Sequence, residues 1–390
     1  MEKRRLKFMN EQWVQWNLYY YSEQREQLIL DLIQNIHRDL LDKKVIKGFY
    51  FLSHWSRGPH IRLRFQTDNV ERFNKEAVPW MVSEVQKFLK KNPSLRRLNK
   101  TDYRNTQHFL AELEEESGDF ENLHPDNTFI EGVMDDRSSV LGSTEAFELL
   151  NEFHIAATPF IYEVLENTRG NKGKKLGICF DMLTITGEKG YKKGIELSFL
   201  SYRSHANAFM ISSKNPLEMQ ELYQKTYLSR KKELNERLNQ VIEQLHSNSI
   251  NDDIILKWSM LISSFKLKIM ELLKDGIDLL GDTNKLHKTE YAHMYGESLE
   301  HSKMHFEMDN SKNLKEFMSS SIDFLALRVL LNYTYLIFHR LGIHPLERFV
   351  VCNLVASAVE NIYQVDAARL IQEQEKQLKR GGWQEQWETL

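Results

Sequence analysis

A chain of 390 residues, 41% of them hydrophobic and 11% aromatic, has material for one large domain or two ordinary ones and is too apolar to be disordered. Its net charge of −3 gives no global attraction to nucleic acid and leaves only a local basic surface open. Its two cysteines, Cys179 and Cys352, suggest neither a metal knuckle nor a disulfide framework, which predicts a reducing, cytoplasmic setting.

The N-terminus, Met1–Trp13, is basic and lacks the apolar core of a signal peptide. Trp13–Tyr21 is rich in aromatic and β-favouring residues and predicts a strand. Ser22 is placed to cap a helix whose apolar face is Leu28, Ile29, Leu32, Ile33, Ile36, Leu40 and Leu41. Val45–Ser53 predicts a second strand. Ser56-Arg57-Gly58-Pro59 is turn chemistry, and His60–Gln66 alternates with period two as a third strand. A helix follows over about Val70–Lys90.

This βαββα start predicts an α+β fold, with a mostly antiparallel sheet packed by helices. Lys100–Asn127 reads as a short helix and surface loop, and Thr128–Met134 as a further strand. Helices are predicted near Thr144–Glu166 and Lys175–Thr186, with the basic segment Arg169–Lys175 as a loop between them. The second half is helical: Pro216–Leu245, Asp252–Leu273, Lys315–Leu341 and Pro345–Gln374, with polar Gly276–Asn313 as a loop and the tail from Lys376 frayed. The apolar stretch Leu325–Leu341 is interrupted by Arg328, Asn332 and His339, so it predicts a buried helix and no membrane span. The whole reads as one domain, with a sheet-containing part over about 1–215 and a helical part over about 216–378.

Arg57-Gly58-Pro59-His60-Ile61-Arg62-Leu63-Arg64 carries the strongest functional signal. On a strand, His60, Arg62 and Arg64 point to one side. Three potential cations there call for a carboxylate or phosphate opposite, or for acidic neighbours on a solvated face. Ser201-Tyr202-Arg203-Ser204-His205 gathers hydroxyls, a phenol, a guanidinium and an imidazole; it reads either as a lining for the same anionic cleft or as a strand-to-helix turn. His301 and His305 have the spacing of a helical zinc pair, but nothing nearby completes a ligand set, so no metal site is predicted. Lys172, Lys174 and Lys175 with Gly170 and Gly173 lack P-loop spacing and read as a solvated loop that could touch tRNA backbone.

The segment Phe49–Phe65, together with Trp16–Tyr21, His124–Phe129, Leu200–His205 and His339–Ile343, resembles the lantibiotic dehydratase C-terminal domain and its free-standing relatives in thiopeptide-type bacteriocin biosynthesis. The resemblance covers most of the chain. It implies tailoring of ribosomally made peptides by one of three chemistries. One is extension of a peptide by an aminoacyl-tRNA ligase, with ATP and aminoacyl-tRNA as co-substrates and no tightly bound cofactor. Another is [4+2] cycloaddition to a pyridine, and the third is elimination of glutamate from glutamylated Ser or Thr. A non-catalytic leader-binding role is the alternative from a different class. The implied partners are a precursor peptide with its leader, tRNA for the ligase, and other enzymes of the same cluster.

Eliminating relatives use two strand arginines, here Arg62 and Arg64, and a histidine before an Asn-Arg-Leu-Gly segment. Here that position falls on Tyr335, with His339 one helical turn away and Arg340 following. A phenol is a poorer acid–base group near neutral pH than an imidazole. The departure favours ligation, with cycloaddition next. The implied catalytic set is Arg62, Arg64, His60, Tyr335 and His339. The implied substrate-binding set is Arg57, Tyr202, Arg203, His205 and Arg340.

Overall fold

The computed structural model describes residues 12–23, 25–114, 118, 120–247, 249–281 and 302–380. They fall into two compact units: residues up to Asp136 with Asn151–Gly170, and Arg137–Leu150 with Asn171 onward. Residues 171–215, read from sequence with the sheet-containing part, are thus grouped with the helical unit.

In the first unit β1 (Gln12–Tyr19) leads to α1, which runs as Glu26–Leu28, a π-helical stretch Ile29–Ile33, and Gln34–Asp42. Strands β2 (Gly48–His54) and β3 (His60–Thr67) form the hairpin, and α2 follows as Val70–Arg72, π-helical Phe73–Ala77 and Val78–Lys91. Next come α3 (Lys100–Glu114) and β4 (Thr128–Gly132). The βαββα start and the antiparallel sheet are as expected, with strand order β2-β3-β1-β4. Ser22 does not cap α1: the helix begins later, Arg25 holds the cap position without a side-chain bond, and the Ser22 carbonyl accepts from Arg25 Nε at 3.2 Å.

Strand register sorts the two faces of the sheet. Val14 opposes Phe65, which opposes Phe49, and Trp16 opposes Leu63, which opposes Phe51. Leu18, Phe49, Phe51, Ile61, Leu63 and Phe65 are wholly buried on this core face. The other face carries the rows Gln15–Arg64–Tyr50, Asn17–Arg62–Leu52 and Tyr19–His60–His54. Helix α5 belongs mostly to this unit. Numbered after the short α4 (Ser138–Leu141), it spans Thr144–Asn167 and covers the first of these rows through Asn151 and His154.

The second unit is helical: α6 (Lys172–Gly190), α7 (Ile195–Ile211), α8 (Pro216–Leu228), α9 (Lys231–His246), α10 (Asp253–Lys274), α11 (Lys303–Asn310), α12 (Lys312–Ser320), α13 (Ile322–Arg340), α14 (Pro345–Tyr363) and α15 (Ala367–Arg380). Buried α6 is its centre and packs against α9, α10, α13 and α14. Trp258 of α10, fully buried, donates its indole N–H to Met182 O and Thr186 Oγ1 of α6, each at 3.1 Å. Helix α13 has the length and composition of a membrane span, but half of that stretch is buried within the protein, as a core helix would be.

Four sequence expectations need correction here. The basic segment Arg169–Lys175 is not a free loop: Asn171 caps α6 by accepting from Lys174 N at 2.9 Å, so the lysines form its first turn. Leu200–His205 lies within α7 and is no strand-to-helix turn. Pro216–Leu245, Lys315–Leu341 and Pro345–Gln374 are each two helices, broken near Ser229, at Ser321 and at Gln364. Ser321 caps α13, and Gln364 takes a left-handed conformation that no helix continues. The end of the polar stretch Gly276–Asn313 is helical in α11, while residues 282–301 lie outside the described residues. So does the tail beyond Arg380.

Arg64 is 5% exposed, and its bonds inside the first unit are to neutral groups. Replacing it with Ala leaves Gln15 Oε1 without its donor and a void beside Tyr50 in a closed space, at a cost of about 2–4 kcal/mol. Urea denaturation followed by tryptophan fluorescence is expected to show that loss; an unchanged midpoint would mean that Arg64 does not support the sheet.

Candidate functional site

The polar face of β3 was expected to present three cations to an anion. Its geometry is different. Arg64 Nε donates to Gln15 Oε1 at 2.8 Å and Nη1 donates to the Tyr50 hydroxyl at 3.0 Å. Tyr50 in turn donates to Asn151 Oδ1 at 2.6 Å, with His154 stacked on its ring. Arg64 therefore supports the interior. His60 is 1% exposed, and its Nδ1 lies 2.9 Å from Gly58 O, which makes Nδ1–H the donor. Burial drives its pKa well below the usual imidazole range, helped by His54, Arg62 and Arg25, so His60 is neutral. Its Nε2 has no hydrogen-bond partner among the described residues. Arg62 is half-buried, with Nη1 3.4 Å from Asp135 Oδ2 at the sheet margin. Arg57 shapes the turn: its φ is +58°, and its Nε donates to Asn122 O at 3.1 Å.

A second set of groups gathers on α7, α13 and α14. His205 Nδ1 lies 2.8 Å from the Tyr335 hydroxyl, which lies 3.4 Å from Cys352 Sγ. The Arg348 guanidinium sits over the Tyr335 ring at 4.8 Å and over Phe349 at 4.5 Å. Burial, then the charges of Arg348 and Arg328 and the nearby His305, lower the pKa of His205 to about 4. Burial raises Tyr335 well above the ordinary phenol range and pushes Cys352 up to about 11. At neutral pH the imidazole, phenol and thiol are therefore all uncharged, joined in a chain that can pass a proton between neutral atoms. Next to it, Ser204 Oγ is 2.9 Å from His305 Nε2, and His305 Nδ1 is 3.0 Å from Ser302 Oγ.

The other sequence candidates in this unit have structural partners. Tyr202 is fully buried and donates to Leu183 O at 2.6 Å. Arg203 is held by Glu360 through two bonds of 3.2 and 2.6 Å, and by Asn353 and Ser357. Its anion is thus supplied by α14 rather than by a ligand. Arg340 is 1% exposed at the end of α13. His339 follows Tyr335 by one turn but is exposed, and the imidazole at the Tyr335 hydroxyl is that of His205.

Sequence reasoning missed Arg328, Arg348, Cys352 and His305. The available signal was their spacing: Arg348 and Cys352 are one helical turn apart, and Arg328 precedes Tyr335 by two. His301, four residues before His305 in sequence, lies outside the described residues. Among the described residues no cluster of three or more His, Cys, Asp or Glu side chains could hold a metal ion.

The family model described as lantibiotic biosynthesis dehydratase C-term matches residues 13–359. No curated protein matches the chain significantly. Among solved structures, the pyridine synthase TbtD from thiomuracin biosynthesis is 25% identical, with a TM-score of 0.73 over 91% of this chain and 99% of that one. The protein TsrL is 20% identical, with a TM-score of 0.69 over 93% of this chain and 98% of that one. The tRNA-dependent lantibiotic dehydratase MibB from Microbispora sp. 107891 is 9% identical, with a TM-score of 0.51 over 90% of this chain and 28% of that one, a likeness of fold. The match over nearly the whole length places this chain in the lantibiotic biosynthesis dehydratase C-terminal family.

Proposed function

We propose that this chain is a thiopeptide-tailoring enzyme that closes a pyridine ring by [4+2] cycloaddition within a leader-bearing precursor peptide. The observation that carries this reading is the end-to-end likeness to a pyridine synthase, at 25% identity and a TM-score of 0.73. It moves cycloaddition ahead of ligation, which the sequence alone favoured. Two local observations point the same way. The lysines read as a solvated loop that could touch tRNA are the first turn of α6, where Lys172 pairs with Glu347 and Lys175 donates to Leu341 O. Of the arginines that elimination calls for, Arg64 is committed to the interior of the first unit.

Ring closure of this kind asks for proton movement between neutral atoms. An amide becomes a 2-azadiene only as its imidic-acid tautomer, so a proton leaves nitrogen and arrives on oxygen. The diene and the alkene of a second dehydroalanine then form two carbon–carbon bonds. Loss of water and of the leader as a carboxamide, each taking one hydrogen from a ring CH2 carbon, makes the ring aromatic. In this reading the neutral His205–Tyr335 pair accepts a proton at one atom and returns one at the other, with no charged intermediate on the enzyme. No ATP, tRNA or tightly bound cofactor enters these steps.

The purified chain, given a leader-bearing peptide with two dehydroalanines, is expected to yield a product that has lost water and leader, without ATP or tRNA, as read by mass spectrometry. A peptide that gains a residue only when ATP and charged tRNA are present would transfer the assignment to ligation. A glutamylated peptide that loses glutamate would transfer it to elimination.

His205→Phe and Tyr335→Phe are each expected to lower the rate by about two to four orders of magnitude, the contribution of a positioned acid or base. His339→Phe is expected to leave it within a few-fold. The pH–rate profile separates this role from a structural one. A neutral His205 is lost only as pH falls through its folded value of about 4, so the acid limb of kcat/KM, which reports the free enzyme, belongs near there and not at the ordinary imidazole value of about 6.5. An acid limb near neutrality would remove His205 from the mechanism.

A further inference from the structure

We propose that Arg328 and Arg348 seat a carboxylate of the peptide substrate beside the His205–Tyr335 pair. The inference deepens the proposed function and rests on it for the peptide nature of the ligand.

It begins with charge. Arg328 and Arg348 are both half-buried, and among the described residues neither has a carboxylate at ion-pair distance. Arg348 Nε is buried without a hydrogen-bond partner there, and its guanidinium rests on the rings of Tyr335 and Phe349. Burial lowers the Arg328 pKa. Withdrawing a guanidinium from water without an anion is costly, and proteins normally supply one.

The helices that carry these arginines do have acids, and each is engaged elsewhere. Asp323 of α13 pairs with Lys266 at 3.2 Å. On α14, Glu347 pairs with Lys172, and Glu360 with Arg203 at 2.6 Å. On α11, Asp309 pairs with Lys315 at 3.1 Å, and Glu307 accepts from Gln372 at 2.7 Å. Around His205 the facing groups are therefore Arg328 and Tyr335 from α13, Arg348 and Cys352 from α14, and the neutral His305 from α11. The positive charge is uncompensated among them, and the lowered His205 pKa registers it.

A planar carboxylate suits this setting, because guanidinium donors bind it bidentately. An anion there would have a second effect. By cancelling the field of the arginines it would raise the His205 pKa toward its ordinary value while the imidazole stays neutral near pH 7. The carboxylate could be the peptide C-terminus or an Asp or Glu side chain.

The test is NMR of the full chain carrying 13C-labelled histidine, titrated with three probes. N-acetylglycinate mimics a C-terminus, N-acetylglutamate α-amide a side chain, and N-acetylglycinamide is the neutral control. The expected result is saturable perturbation of His205 by at least one carboxylate, with its pKa rising by about one unit or more from about 4, and silence from the amide. The tighter carboxylate identifies the source. Arg328→Gln and Arg348→Gln are each expected to weaken binding about tenfold or more. Arg348→Lys, which keeps the charge and is the milder change to the fold, is expected to retain part of it.

No response at His205, an equal response to the amide, or unchanged affinity in both Gln variants would overturn the proposal. The two readings fail separately. A chain that binds N-acetylglycinate but closes no ring keeps this site and loses the proposed reaction. A chain that closes the ring while no carboxylate probe reaches His205 does the reverse.

Discussion

A charged group taken out of water must find a partner or give up its charge, and that constraint orders the functional regions of both units. Four groups singled out by the sequence meet it in different ways. Arg64 keeps its charge and satisfies it with Gln15 and the Tyr50 hydroxyl. Arg203 takes Glu360. His60 and His205 surrender their protons. The consequence for function is direct. Arg64 and Arg203 spend donors on protein partners, whereas the neutral His205 retains a lone pair and a proton to exchange.

The fold was legible where one periodicity governed a whole element. Alternation on His60–Gln66 and the aromatic run from Trp13 place β3 and β1, and the turn residues Ser56–Pro59 between β2 and β3 fix the hairpin. Long helices such as α10 and α13 follow from apolar spacing. Single residues that end one helix and start another were less visible. Ser321 and Gln364 interrupt patterns whose apolar spacing carries on across the break, so only the cap geometry reveals them.

The arginine strand shows the limit of alternation as a guide. Period two says that His60, Arg62 and Arg64 share a face, and they do. It does not say what lies on that face. Helix α5 brings Asn151 and His154 over Tyr50, so Arg64 sits beneath a second layer, and only Arg62 stays near the margin with Asp135. An antiparallel sheet can have one wet face, but a helix more than eighty residues away in sequence decides whether it does.

Tyr335 illustrates the converse error. Aligned on the family's histidine position, a phenol reads as a missing acid–base group. Nearly all of the distance between His205 and Tyr335 in sequence is closed by the packing of α7 against α14 and of α14 against α13, and the hydroxyl ends 2.8 Å from an imidazole. In the proposed function the role of one side chain is divided between these two. A lone imidazole with an ordinary pKa gains and loses a full charge as it works near neutral pH. A neutral imidazole bonded to a phenol can take a proton at one atom while the other gives one up, so no net charge need appear beside Arg328 and Arg348. Such a pair suits the proposed tautomerisation, in which a proton leaves amide nitrogen and arrives on oxygen. On that proposal, the substitution that seemed to subtract a catalytic group replaces one charge-changing imidazole by a pair whose members both stay neutral.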